Sequence, residues 1–316
     1  MTSAAATAVA AVDVGTNSVR LLVAEPGGDR HLTQVIREMR ITRLGKGIDA
    51  TGHLDDAALE RTLSVIGDYA AIWRRRGVER ARIAATSAIR DAADRDRFFD
   101  GVRERTGVDA VVLSGKQEAA TAFLGATAAV WGEAPYLVLD IGGGSTELIL
   151  GDLAPVASTS RQLGCVRLTE RALPSDPPTR AELDAAAAIA AAQLDAAAMQ
   201  VHPEKARTLV GVAGTVTTLA ALHLGLDAYE PERIHGTRLP RPAVAALVAR
   251  LGAMTAAQRA ALGPMAPGRE DVIVGGAIIL ACAMARFDFT EVLVSEADIL
   301  DGLAIDLLRA GDPARD

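Results

Sequence analysis

One device occurs twice in this chain at a fixed interval. Asp13-Val-Gly-Thr-Asn-Ser-Val-Arg-Leu-Leu-Val23 slides onto Asp140-Ile-Gly-Gly-Gly-Ser-Thr-Glu-Leu-Ile-Leu150 over 127 positions, matching Asp13 with Asp140, Gly15 with Gly142, Ser18 with Ser145, Leu21 with Leu148 and Leu22 with Ile149. Apolar and β-branched residues lead into each glycine turn, from Ala8 to Val14 and from Tyr136 to Ile141. They lead out again from Val19 to Ala24 and from Thr146 to Leu150. Each copy therefore reads as strand, tight turn, strand. A dinucleotide-binding or Walker loop needs a helix directly after its glycines, and neither copy supplies one, so both are disfavoured. A glycine-rich hairpin can still aim successive backbone N–H groups at an anion, with hydroxyls adding donors. Two related halves are expected, each with a loop able to grip phosphate.

The size agrees with two domains, since 316 residues can bury a sizeable core. Half the chain is apolar but only 3% is aromatic, which disfavours base stacking, and a formal charge of −7 disfavours a nucleic-acid footprint. Cys165 and Cys282 form neither a disulfide framework nor a zinc pattern, as expected for a reducing cytoplasm. Met1 to Ala11 lacks a basic head, so no signal peptide is expected. The longest apolar run, Val272 to Ala285, is short of the ~20 residues that span a bilayer and reads as a buried helix.

Along the chain, His31 to Thr42 alternates as a third strand and ends in a basic, glycine-broken cluster. Arg40, Arg43 and Lys46 there form either a phosphate-facing wall or a solvated loop. Asp55 to Arg76 has helical spacing and stops at Gly77. A short strand from Arg82 runs into Thr86, Ser87 and Arg90, a suitable place for a ligand beyond a strand end, although Ser87 as a helix cap is the alternative. After a strand from Val108 to Leu113, Ser114 opens a helix that carries Glu118 in its first turns. Glu118 is either an acidic residue favoured by the helix N-terminus or a base facing the space between the halves.

In the second half, the alanine-rich helix Thr179 to Gln200 is scaffold. Thr208 to Ala220 runs from a strand through Gly214-Thr215 into a helix, where the glycines serve an anion or merely close packing. His235 reads as a loop residue without a metal partner at ligand spacing. The buried helix is followed by a strand from Glu291 to Val294 and a last helix from Ile299 to Leu308. Gly311 to Asp316 is expected to be loose.

The stretches DVGTNSVRLLV, ATSAIRDA, SGKQEA, LDIGGGSTEL, GCVRLTE, GVAGTVTTLA and VSEADILDGL, in this order, resemble the exopolyphosphatase and guanosine pentaphosphate phosphohydrolase family in its short form, from about Val12 to Leu308. The resemblance implies an α/β fold of two actin-like, ribonuclease H-like domains, 1–127 and 128–316, with a phosphate-binding cleft between them. It implies hydrolysis of the terminal phosphoanhydride of inorganic polyphosphate or of pppGpp, with Mg²⁺ and with K⁺ as a candidate second cation, in a cytoplasmic homodimer without nucleic-acid or membrane partners. Glu118 matches the catalytic glutamate and Arg90 an arginine near the leaving-end phosphates. Asp140 and Glu147, with Asp13 as their counterpart, match acidic positions around metal and water. Gly142, Gly143, Gly144 and Ser145 match one phosphate loop. Gly15, Thr16, Asn17 and Ser18 match the other, with Arg20 just beyond it, and Thr86, Ser87, Gly214 and Thr215 complete the implied substrate contacts. Gln117 and Asp94 depart from the family pattern, where an acidic residue and an asparagine are usual. An ATP-dependent phosphotransferase of the same superfamily and a non-catalytic polyphosphate or alarmone sensor are the rival readings.

Overall fold

A computed structural model of the chain describes residues 8–27, 32–128 and 130–310. Met1 to Thr7, His31 and the tail from Gly311 lie outside the described residues. The described chain forms two compact units.

The first unit is built on the first hairpin. β1 (Val9–Val14) pairs antiparallel with β2 (Ser18–Pro26), which pairs antiparallel with β3 (Leu32–Ile41). A short helix α1 (Ile48–Thr51) and then α2 (Asp56–Arg75) follow. The Asp55 side chain accepts the Ala58 N–H at 2.8 Å and so caps α2, which buries Leu59, Leu63, Ile66 and Trp73. β4 (Arg80–Ala85) runs parallel to β1, then α3 (Ser87–Asp91) and α4 (Asp96–Thr106) lead to β5 (Ala110–Val112), parallel to β4. Asp94, just before α4, accepts the Leu54 N–H and pairs with Arg97. The sheet order is β3-β2-β1-β4-β5.

The second unit repeats this plan. After α5 (Gly115–Ala128) come β6 (Tyr136–Ile141), β7 (Thr146–Gly151) and β8 (Pro155–Arg161), then α6 (Cys165–Ala172), α7 (Arg180–Val201), β9 (Thr208–Val212) and α8 (Ala213–His223). The chain continues through α9 (Pro231–Ile234), β10 (Arg238–Pro240), α10 (Arg241–Gly252), α11 (Ala256–Ala260), α12 (Ile273–Arg286) and β11 (Glu291–Val294) before α13 (Ile299–Arg309). Its sheet order is β10-β11-β9-β6-β7-β8. Read from the other edge, β8-β7-β6-β9-β11 copies the first sheet and β10 is an added antiparallel edge. The repeat predicts two related halves, and their shared plan is the duplicated ribonuclease H-like α/β fold that the family resemblance implies.

The units do not break at 127/128. They comprise the described residues up to Ser114 together with Ile299 onward, and Gly115–Asp298. Helix α5, which follows the first half in sequence, packs on β6, β7 and β8. Its Ala119, Phe123 and Ala126 fill a cluster with Val138, Ile149, Val210, Val212 and Leu293. Conversely α13 packs on β1 and β2, and Arg37 on β3 reaches its Asp301 at 2.6 Å. Each half ends in a helix whose apolar stripe is covered by the sheet of the other half. Sequence order alone does not reveal that exchange.

The alanine-rich α7 starts with a capping box, Thr179 with Glu182, and buries Ala186, Ala190, Leu194 and Ala197. Helix α12 is buried as expected. A Cβ on Gly275 would meet the Thr169 hydroxyl, and one on Gly276 the Thr215 side chain. No helix among the described residues is long and apolar enough to cross a membrane.

Candidate active site

The second hairpin loop is fixed by its carbonyls. Gly142 N–H donates to Ser145 O at 3.0 Å and closes the turn. The N-terminal N–H groups of α6 then take the outward carbonyls: Cys165 donates to Gly142 O and Val166 to Gly143 O, both at 2.9 Å, and Arg167 to Gly143 O at 3.2 Å. The Arg167 guanidinium, itself buried, donates through Nε to Gly144 O at 2.8 Å. A trans peptide points its N–H opposite its C=O. Binding these three carbonyls against α6 therefore turns the N–H groups of Gly143, Gly144 and Ser145 the other way, as a cradle for an anion. Gly164 allows the approach, because a Cβ there would run into the Gly143 carbonyl.

Three carboxylates gather beside this cradle. Asp140 and Glu147 are direct cross-strand partners on β6 and β7, and Glu118 lies in the first turn of α5, which covers those strands. Glu147 is 1% exposed, and Glu118 and Asp140 are each 6% exposed. Burial holds the Glu147 carboxyl well above the ordinary carboxylate range, and the charges of Glu118 and Asp140 push it further. The hydroxyls of Ser160 and Ser145 pull the other way, Ser160 Oγ donating to Glu147 Oε1 at 2.6 Å. Buried, mutually repelling carboxyls beside an anion cradle suit proton transfer and the binding of a hard cation.

The first hairpin has the same backbone and different charges. Gly15 N–H donates to Ser18 O at 3.0 Å, Gly45 N–H takes Thr16 O, and the Thr42 and Arg43 N–H groups take Asn17 O. The N–H groups of Asn17 and Ser18 are thereby turned away from that clamp. Gly45 plays the part of Gly164, since a Cβ would overlap the Thr16 side chain. At the register held by Asp140 and Glu147, however, Asp13 faces Arg20. Arg20 Nη2 lies 2.7 Å and Nε 3.1 Å from Asp13 Oδ2. Thr16 and Ser87 join their hydroxyls at 2.8 Å, so Ser87 ties the loop to the β4–α3 turn instead of capping α3. Thr86 N–H donates to Val14 O, and Arg90 Nη1 to Leu113 O at 3.0 Å.

The other sequence candidates have these surroundings. Val212 pairs with Asp140, so Gly214 and Thr215 follow at the same end of the sheet. Arg269 fills the space beside Gly214, donating to its carbonyl at 2.8 Å and to Thr218 Oγ1 at 2.6 Å, and a Cβ on Gly214 would strike the guanidinium. Arg40 pairs with Asp68 at 2.6 Å over the Tyr69 ring, and Arg43 contributes its backbone to the first loop. His235 Nδ1 accepts the Glu296 N–H, as a loop residue.

Sequence reasoning missed Ser160, Arg167 and the two clamping glycines, Gly45 and Gly164. No local signal singles out Ser160 in the polar run Ser158 to Arg161. The substitution of Glu147 by Arg20 was legible, because the same 127-residue offset aligns them.

The described residues contain no ready-made cage of three metal-ligating side chains. Mg²⁺ does not require one, since it keeps several waters and takes one or two carboxylates plus phosphate oxygens. The repulsion focused on Glu147 is what a cation between Asp140 and Glu147 would relieve, so the donor set fits. Asp13, also expected beside the metal, is paired with Arg20.

Residues 22–310 match the Ppx/GppA phosphatase family. Exopolyphosphatase 2 of Mycobacterium tuberculosis is 46% identical over 96% of this chain and 99% of its own. A solved exopolyphosphatase-like protein superposes with a TM-score of 0.91 at 38% identity, covering 96% of this chain and 99% of its own. The guanosine-5'-triphosphate,3'-diphosphate pyrophosphatase of Vibrio atlanticus is 35% identical over 51% of this chain and 33% of its own.

Proposed function

The chain belongs to the Ppx/GppA phosphatase family, and on that premise we propose that it is an exopolyphosphatase that releases the terminal phosphoryl group of inorganic polyphosphate as orthophosphate. The observation that carries this reading is the anion cradle of Gly143, Gly144 and Ser145 beside three buried carboxyls, Glu118, Asp140 and Glu147.

In this reading the cradle N–H groups hold the non-bridging oxygens of the terminal phosphoryl group, over which the transition state spreads its charge. Glu118 accepts a proton from the attacking water as its oxygen bonds to phosphorus. The bridging P–O bond breaks and its electron pair leaves with the shortened chain. Asp140 and Glu147 would hold Mg²⁺, which when bound supplies charge neutralisation at phosphate oxygens. In the first unit, Gly15, Thr16, Asn17, Ser18, Arg20, Thr86, Ser87 and Arg90 are proposed phosphate contacts. A homodimer in a reducing cytoplasm belongs to the same proposal.

The second reading, hydrolysis of pppGpp, is favoured by the partial match to the Vibrio pyrophosphatase, and both substrates end in the same phosphoanhydride. The rival reading, an ATP-dependent phosphotransferase with Gly214-Thr215 in an adenosine site, is removed if labelled ATP stays intact with polyphosphate and common acceptors present. Phosphate release from a length series of polyphosphate and from pppGpp, at matched terminal-phosphate concentration with and without Mg²⁺ and K⁺, ranks the readings. Faster release from polyphosphate is expected. Faster release from pppGpp reverses the order, and tight binding without release identifies a sensor.

A further inference from the structure

Asp140, Glu147 and Ser160 form one row across β6, β7 and β8, because Asp140 pairs with Glu147 and Glu147 with Ser160. Cross-strand partners point to the same face of a sheet. That face is the one covered by α5, whose first residue touches the end of the row: a Cβ on Gly115 would lie 2.9 Å from the Ser160 Cβ. Ser160 therefore meets both carboxylate-bearing elements. Its hydroxyl donates to Glu147 Oε1 at 2.6 Å, and its methylene seats the start of α5 three residues before Glu118.

We propose that Ser160 is a positioning residue: one side chain fixes the rotamer of Glu147 through its hydroxyl and the height of Glu118 above the sheet through its Cβ. A buried glutamate on a strand retains several side-chain rotamers, and a hydroxyl anchored on the neighbouring strand selects one of them. The Ser145 hydroxyl acts on the same carboxyl from the glycine loop, so Glu147 is held from both sides. The β7–β8 register supplies this anchor, and a one-residue slip would turn Ser160 to the opposite face.

The inference rests on the phosphoanhydride-hydrolase reading for its kinetic consequence but not for its geometry, so two measurements separate them. Threonine and valine have nearly the same shape and differ in the hydroxyl. Ser160→Val is expected to lower kcat roughly 10- to 100-fold, the range for loss of a group that orients a ligand-bearing side chain, with KM for polyphosphate little changed. Ser160→Thr is expected to keep most of the turnover. Equal kcat in the two variants overturns the proposal, because a packing role would not distinguish them. Independently of activity, melting temperatures of Ser160→Val, Glu147→Leu and the double variant form a cycle, leucine having no acceptor for the hydroxyl. Non-additive losses support the hold on Glu147, and additive losses overturn it even if the protein turns over neither polyphosphate nor pppGpp. Absence of phosphate release by the unaltered protein would sink the functional reading and leave the cycle to decide the role of Ser160.

Discussion

Glu147 faces Asp140 across the β6–β7 hairpin at the register where, in the first hairpin, Arg20 faces Asp13. The same backbone device has thus been given opposite electrostatics. The first unit neutralises its buried aspartate with a guanidinium, whereas the second sets a glutamate against it and adds Glu118 from α5. Like charges brought together out of water are unfavourable unless a proton or cation joins them. That contrast is why the proposed function puts proton and metal chemistry on the second hairpin.

Glu118→Gln keeps the size of the side chain and removes its ability to take a proton. Turnover should fall by ~10²–10⁴-fold, the usual contribution of general-base help, while polyphosphate binding persists. Turnover close to that of the unaltered protein would exclude Glu118 as the base.

The raised Glu147 carboxyl gives stability a definite dependence on pH. The folded state holds this proton at pH values where the unfolded chain has released it, so the contribution is fully present below the ordinary carboxylate value. It is lost as pH rises through the raised one. In the absence of metal, the urea midpoint should fall from weakly acidic to neutral pH more steeply than that of Glu147→Gln. Parallel slopes would show that Glu147 is not perturbed.

Mg²⁺ should raise the melting temperature at neutral pH, by about 2.7 kcal/mol of stability at a hundredfold excess over its dissociation constant, and a chelator should reverse the rise. The double variant Asp140→Asn, Glu147→Gln should lose most of it. An undiminished rise places the ion elsewhere.

Arg20→Ala removes the guanidinium that grips the buried Asp13 carboxylate and should destabilise the protein by about 2 kcal/mol, the scale of a hydrogen bond to a charged group. Arg20→Lys, retaining charge but not the two-nitrogen grip, should fall between. A denaturant midpoint unchanged in Arg20→Ala would mean that the ion pair does not stabilise the fold.

Gly164→Ala drives a methyl group into the Gly143 carbonyl, so α6 must retreat and release the loop. Destabilisation of about 1–3 kcal/mol is expected from the overlap, together with a clear drop in kcat. Gly107→Ala serves as the comparison. It has open space around it and a φ of 67°, so it should cost about 1 kcal/mol with no change in turnover. Similar kcat in both variants would separate the loop clamp from catalysis.

Much of the molecule follows from short-range pattern. The hairpins at Asp13 and Asp140, the capped helix after Asp55, the buried helix through Gly275 and Gly276 and the strand before Glu118 all lie where periodicity and turn chemistry put them. Gly214 illustrates the limit. Its neighbours allow either an anion or a packed side chain, and nothing local announces that Arg269, 55 residues away, comes to lie beside it. Ser87 is a similar case, since its hydroxyl goes to Thr16 and not to the helix it begins.

The sequence by itself determined the duplication and the two glycine loops, because repeated local strand–turn–strand chemistry needs only neighbours to be legible. Tertiary structure alone decided that α5 packs on the second sheet and α13 on the first, and that α6 clamps the second loop. It also decided that Ser160 stands between Glu147 and the start of α5. Those outcomes depend on which apolar face each helix can cover and on the register of β8. Both are settled by contacts between residues far apart in the chain, which no local pattern encodes.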